Sequence, residues 1–401
     1  MNKLLLNHFL RNAIFLPGIF SIFLSCEQPS IYPTTAFSHA DFDPQESIML
    51  SWNLRYQEII IELMEGISRK DNIVLFYNEN YHKKKPIVTL LKRGRVNMNN
   101  VEIVPFKLKD DNIWIRDYGP AFTQNERGDI ESVSFDYPHH RYTDYKNFTP
   151  FLSSKLKINF HKSALFSVGG GREVNGKGTI ILIEGFEKVI NPKLSKQQIE
   201  TEYQKKFHQT NFIWLKKGIP QDDFMGHGPI IEDIYGNGTN WHIDEFCRFA
   251  GPKTILLAKV DSSDIARDDF YKIIHDRLEE NFQILSKATD QNGEPFNIIR
   301  VPQAPVIYAN GKLDNKSIIY TPITSYLNFV LTNQYVVIPK YYENGDPNYV
   351  RNKDKEAKQI FSRVFKTRQI LTVNASDINY DGGGLHCITL PKPLKKNLSI
   401  K

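Results

Sequence analysis

Between residues 41 and 391, short apolar runs alternate with stretches whose apolar residues recur at helical spacing, and no composition shift or Gly/Ser-rich linker interrupts them. Strands that alternate with amphipathic helices bury their apolar faces by pairing into sheets against which the helices lie, so the pattern specifies one α/β domain. The apolar runs predict strands over 47–52, 73–77, 101–106, 179–183, 212–215, 254–260, 297–301, 335–339 and 370–373. Helices are predicted over 55–68, 195–207, 263–287 and roughly 352–365. In the first, Ile59, Ile60, Leu63, Met64 and Ile67 form the apolar stripe; in the third, Ile274, Leu278, Phe282 and Leu285 do, with Ser262 or Ser263 as its cap. The strand–helix–strand rhythm returns about every 70 residues without a close sequence repeat.

With 401 residues, 41% of them apolar, the chain holds enough material for a large core, which excludes wholesale disorder and collagen-like structure. The net charge is +6, and two of the cations, Lys3 and Arg11, sit in the leader described next. Apart from Lys83-Lys84-Lys85 and the last few residues there is no basic run, which argues against a nucleic-acid partner. Residues 1–26 open with a basic, polar front followed by an apolar run from Ala13 to Leu24. As a helix that run rises only ~18 Å against a ~30 Å hydrocarbon core, the dimensions of a signal peptide rather than a membrane span. It ends in Phe23-Leu24-Ser25-Cys26, which resembles a bacterial lipobox with Cys26 as the lipid-bearing residue. The expectation is export to the cell envelope, with residues 27–40 as a polar linker and residues 392–401 as a polar tail. Cys26, Cys247 and Cys387 are the three cysteines, too few for a disulfide framework.

Four segments place polar and charged residues inside apolar surroundings. Trp114-Ile115-Arg116-Asp117-Tyr118-Gly119-Pro120 sets an Arg–Asp pair among aromatics, readable as a structural salt bridge or as part of a site. The glycine-rich stretch 169–178 is not a phosphate loop, because Thr179-Ile180-Ile181-Leu182 continues it as a strand; a turn into a hairpin fits better. In Trp241-His242-Ile243-Asp244-Glu245-Phe246-Cys247-Arg248-Phe249, strand alternation would put His242 and Asp244 on one face and Ile243, Glu245 and Cys247 on the other. Cys247 then reads as a buried structural thiol. In Asp381-Gly382-Gly383-Gly384-Leu385-His386-Cys387, three glycines allow backbone to approach a ligand closely beside a thiol. A lone cysteine near glycines is often inert, but His242 supplies a candidate base and the other motifs supply carboxylates. A zinc site would compete for His242, Asp244, His386 and Cys387, yet the paired Cys-x-x-Cys or His-x-x-x-His spacing such sites favour does not occur, and no metal is expected. The Gly-x-Ser-x-Gly elbow of serine hydrolases is missing too.

Together WIRDYGP at 114–120, GGGREVNGKGT at 169–179, HIDEFCRF at 242–249, SYLNF at 325–329 and GGGLHCITLP at 382–391 resemble the agmatine deiminase and Porphyromonas-type peptidylarginine deiminase family, in that family's order. The resemblance implies a five-bladed α/β-propeller (pentein) of ββαβ-type modules around a pseudo-fivefold axis, catalytic over 41–391, and no cofactor. It implies Cys387 as nucleophile, His242 as general acid/base, and Asp117 and Asp244 as carboxylates that grip a guanidinium, with Glu173 where members carry a glutamate near the site. Trp114, Arg116, Arg141, Asn328 and Gly384 are the candidate substrate contacts. The chain departs from the agmatine-specific pattern in three places: at 135–144, where Arg141 could hold a substrate carboxylate; at Asn112, where an acid is frequent; and at Trp241 with the 236–238 loop, which would narrow the pocket. The expected reaction is hydrolysis of agmatine, or of free or peptide-bound arginine. An amidinotransferase on the same scaffold and a silent envelope protein that binds cationic guanidines are the alternatives.

Overall fold

Five sheets repeat one strand pattern: an entering strand pairs antiparallel with a central strand, which then pairs in parallel with a strand that follows a helix. Parallel neighbours require a crossover connection, and an amphipathic helix is the usual one. In chain order the central and parallel strands are Gln45–Ser51 with Ile73–Asn78, Ile130–Asp136 with Phe160–Phe166, and Thr179–Ile183 with Asn211–Leu215. Thr254–Lys259 with Asn297–Pro302 and Tyr335–Lys340 with Gln369–Asn374 complete the set. A sixth sheet joins Ile234–Gly236, Ala309–Leu313 and Lys316–Thr321. The computed structural model describes residues 36–138 and 144–395, which belong to one unit.

The central strands are almost wholly buried, as at Thr179–Ile183, which explains why they read as unbroken apolar runs rather than alternating ones. The helix Gln57–Ile67 buries the stripe expected of it, at ~1.5–3 kcal/mol for each large aliphatic side chain taken fully out of water. The helix Lys196–Phe207 starts at a capping box in which Ser195 and Gln198 satisfy each other's backbone N–H groups.

Three expectations are corrected. The helix expected over 263–287 is two, Ser262–Ile265 and Phe270–Leu285. Neither serine caps the longer one, because the Asp268 carboxylate accepts from the Phe270 N–H at 2.9 Å and restarts the chain there. The segment assigned to a linker is structured from Phe37, which with Ser38 pairs against Gln124 and Thr123. The tail begins later than residue 392, because the strand Thr389–Pro393 pairs antiparallel with Gln45–Ser51 and so knits the end of the chain to the first central strand. Cys26 and the leader lie outside the described residues.

Candidate active site

Four loops carried by different sheets meet at Cys387. Trp114–Tyr118 folds as a single helical turn, started by Asn112, whose side-chain oxygen accepts from the Trp114 N–H at 2.7 Å. The Arg116 N–H then donates to the Cys387 carbonyl at 3.1 Å, so this turn is tied directly to the thiol segment. The hairpin Arg172–Val174 with Thr179–Ile183 forms as expected, and the glycines ahead of it let groups converge. A Cβ on Gly170 would stand 2.6 Å from His242 Nδ1, 3.1 Å from Asp244 Oδ2 and 3.2 Å from Asp117 Oδ1; a side chain here would separate three of the candidate residues. The Gly170 N–H itself donates to Asp117 at 2.9 Å. A Cβ on Gly384 would overlap Asn328, and without one its N–H reaches Cys387 Sγ at 3.4 Å.

The His242 segment is not the strand expected. Ile243–Glu245 forms a 3₁₀ turn and the strand begins only at Cys247. The buried carboxylate of Asp222 is the cause: it accepts from the His242 N–H and from the Thr239 N–H at 2.6 Å, pinning the chain in a turn. Strand alternation would have sent Glu245 to the opposite face. The turn instead brings Asp244 and Glu245 together, 3.8 and 3.9 Å from Cys387 Sγ. Asn328 bridges them, donating to Glu245 at 2.8 Å while lying 3.4 Å from the sulfur. Cys247 is fully buried in the apolar core, the structural thiol expected.

Cys387 is 3% exposed, at the floor of a cavity of about 560 Å³ whose walls include Trp114, Asp117, Phe186, His242 and Asp381. Burial, then Asp244, Glu245 and Asp117, raise its thiol well above the usual range, and the Gly384 N–H offsets this only in part. Burial presses His242 toward neutrality, but the charges of Asp117, Asp222 and Asp244 prevail and raise it above an ordinary histidine. Burial, reinforced by Asp244 and Asp222, lifts Glu245 well above the carboxylate range. Asp244 is held below the usual range: burial opposes its charge, but the hydrogen bond and charge of His386 outweigh it. Asp244, Glu245 and Cys387 each offer a donor atom within 4.8 Å of the others, an anionic end suited to a cation.

Other expected residues stand elsewhere. Arg116 is buried but does not face this cavity or pair with its neighbour Asp117; it holds Asp41 through two hydrogen bonds of 3.0 and 3.1 Å. Glu173 pairs with Arg248, accepts from the Phe249 N–H at 3.1 Å and lines a different, smaller cavity, so it does not sit beside Cys387. Burial, opposed by Arg248, pushes its carboxyl up to about 7. Trp241 does not narrow the pocket: it packs over Gly185 and Gly218, hydrogen-bonds Asp223, and stands at φ 78°, in the left-handed region. The loop before it does reach the cavity, through Gly238, and Asn237 clasps the Tyr380 carbonyl at 2.8 Å. Arg141 lies outside the described residues.

The family model of Porphyromonas-type peptidyl-arginine deiminases matches residues 37–393. A Legionella pneumophila (strain Paris) protein is 30% identical over 306 residues, 74% of this chain and 76% of its own length. The agmatine deiminase of Pseudomonas aeruginosa (strain LESB58) is 26% identical over 325 residues, covering 75% of this chain and 79% of itself. Among solved structures, the agmatine deiminase of Enterococcus faecalis superposes with a TM-score of 0.72 at 21% identity, over 90% of this chain and 96% of that one. That of Campylobacter jejuni, with substrate bound, gives 0.68 at 20% identity, over 90% and 97%. The mixed α/β fold is shared with these solved proteins, and with a family match that runs from the first described strand to the last, the chain belongs to the Porphyromonas-type peptidyl-arginine deiminase family.

Proposed function

We propose that this chain hydrolyses a C–N bond of a substrate guanidinium through a covalent intermediate on Cys387. The meeting of Cys387, His242 and Asp117 at one cavity, with Asp244 buried against Cys387, carries the reading. The guanidinium is planar and presents forked N–H donors, which the Asp117 and Asp244 carboxylates match in geometry and charge. Its positive charge, placed against the sulfur, offsets the carboxylates that hold the thiol protonated, so the thiolate forms when substrate is seated. Sulfur attacks the central carbon, and imidazolium His242 gives its proton to the nitrogen that leaves as ammonia. Neutral His242 then takes a proton from water as that water attacks the thiouronium carbon; the C–S bond breaks and a ureido product departs. Each step draws on side chains and water alone. The enzyme is a hydrolase of linear amidines.

The cavity has no Lys or Arg in its wall among the described residues, while Asp381 stands at it, bound to Arg55 and Tyr56. A substrate whose tail is an amine, as in agmatine, or an arginine within a peptide fits such a wall better than one that brings a free carboxylate. The five repeated sheets support a pseudo-fivefold propeller of modules. The leader supports export, with Cys26 as the lipid anchor.

Ammonia release by residues 27–401 tests the reading with agmatine, free arginine, a peptide ending in arginine and one with internal arginine. The expected outcome is turnover of agmatine or the internal peptide, lost at least ~10⁴-fold in Cys387→Ala. Release that requires an added amine acceptor would indicate amidino transfer, and binding without release a silent receptor.

A further inference from the structure

We infer that His386 is a positioning residue that sets the charge of Asp244, and through it the state of the Cys387 thiol, from behind the substrate pocket. His386 neighbours the nucleophile in sequence, but its ring points the other way. Nδ1 lies 2.6 Å from Asp244 Oδ2, and Nε2 lies 2.6 Å from Asp41 Oδ2. The ring is buried, and its backbone N–H is fixed to Asn328 at 2.8 Å. Asp41 is clamped in turn by both terminal nitrogens of Arg116 and by Arg248 at 2.9 Å, and Arg248 holds Glu173. His386, Asp41, Arg116 and Glu173 line a second cavity of about 70 Å³ that Cys387 does not reach. At ~30 Å³ per molecule it admits about two waters.

A neutral imidazole has one N–H, so it cannot donate to both carboxylates at once; the imidazolium can. Burial and the flanking Arg116 and Arg248 oppose the cation, while Asp41 and Asp244 favour it. The first set prevails and leaves the ring below an ordinary histidine, so it carries its proton only toward acid pH, and only then can it donate to both carboxylates. With the proton on, the Asp244 charge facing the sulfur is balanced and the thiolate is tolerated. When Nε2–H gives its proton to water in the second cavity, the Asp244 charge is uncompensated and the thiol keeps its own. The groups that face this ring are Asp244 and Asp41 directly, Arg116 and Arg248 across Asp41, Glu173 across Arg248, and Cys387 and Glu245 across Asp244.

The inference rests on Cys387 as the nucleophile, but its test requires no turnover. The rate of iodoacetamide alkylation of Cys387, followed by mass on the peptide that contains it, is measured from about pH 5 to about pH 10. In His386→Asn the amide nitrogen takes the place of Nδ1 and keeps the Asp244 hydrogen bond, but has no proton to titrate. Its profile is expected to fall several-fold below the native one toward acid pH, where the native ring carries its proton, and to converge with it as pH rises. Superposition on the native profile, or a slowing that is the same at every pH, overturns the inference. Should that variant not fold, Asp41→Asn changes no atom of the substrate pocket and removes the charge that favours the imidazolium. The same loss on the acid side is expected, and an unmoved profile overturns it. Wild-type protein that shows the expected shifts but releases no ammonia from any guanidine would defeat the proposed function and leave this inference standing.

Discussion

Two buried acidic regions meet at His386, and they are finished differently. Around Asp41 each carboxylate has a cation: Arg116 and Arg248 hold Asp41, and Arg248 also holds Glu173. Around Cys387, Asp117, Asp244 and Glu245 have no Arg or Lys ion pair among the described residues, and Asp244 Oδ1 and Glu245 Oε2 have no hydrogen-bond partner there. Buried polar atoms are normally satisfied, so carboxylate oxygens left open behind Cys387, which lines the cavity, suit a ligand of opposite charge. The Asp41 region shows what buried carboxylates accept, since the Arg116 and Arg248 guanidinium groups donate to Asp41 there. One region uses the chain's own arginines to build a rigid wall; the other keeps the same chemistry open for a substrate.

The largest effect that would break this comparison comes from the closed side. Arg248 is fully buried and also donates to the Leu327 and Phe329 carbonyls. Arg248→Met leaves Glu173 buried without its cation and Asp41 with Arg116 alone, and stability is expected to fall by about 3–5 kcal/mol. Denaturant unfolding measures it; an unchanged midpoint would mean that the wall does not need its charges. On the open side, Asp117→Asn keeps the acceptor oxygen that the Gly170 N–H uses and removes only charge. The expected cost falls on kcat/KM, about 3 kcal/mol or roughly a hundredfold, with no loss of thermal stability. Because Asp117 helps to raise the Cys387 thiol, alkylation of the free enzyme should become faster at neutral pH in the same variant. Stability losses of equal size on both sides would erase the distinction.

The open side was the more legible in sequence. Cys387, His242, Asp117 and Asp244 each sit in a motif where charge or sulfur interrupts apolar residues, and the structure brings them together. The strands were legible because central strands buried on both faces must be apolar throughout; 179–183 matches its observed limits. What escaped was set by long-range contacts. Glu245 was assigned to the wrong face because a period of two was applied to a segment that Asp222, 20 positions earlier, bends into a turn. The one available signal was the adjacent pair Asp244-Glu245 between apolar neighbours, where a strand would have to bury one acid on each face. Asp41 carried no local signal: it lies in a segment that reads as linker, and its partners Arg116, Arg248 and His386 are far along the chain. Arg116 and Glu173 look like site residues in sequence because the closed wall uses the same residue types as the open pocket.

The smallest effect sharpens the comparison through pH. Asp222 is fully buried with no Arg or Lys paired to it among the described residues, and burial, only partly offset by His242 and two backbone donors, pushes its carboxyl up to about 6 from 3.8. A carboxyl whose folded value is raised keeps its proton in the native state after the unfolded chain has lost its own. Its contribution to stability is therefore full below about pH 4 and is lost as pH rises toward about 6, at about 1.4 kcal/mol per unit. Asp222→Asn removes this slope: the difference in unfolding free energy between native and variant protein should change across that window and be flat above it. Asp41, held well below the usual range by Arg116, His386 and Arg248 against the cost of burial, contributes with the opposite sign. Its stabilisation is present above about pH 4 and is lost on further acidification, so the stability difference between native protein and Asp41→Asn should shrink as pH falls below about 4. Opposite slopes from two buried aspartates would be the thermodynamic mark of the difference between the pinned turn beside the open pocket and the closed wall behind it.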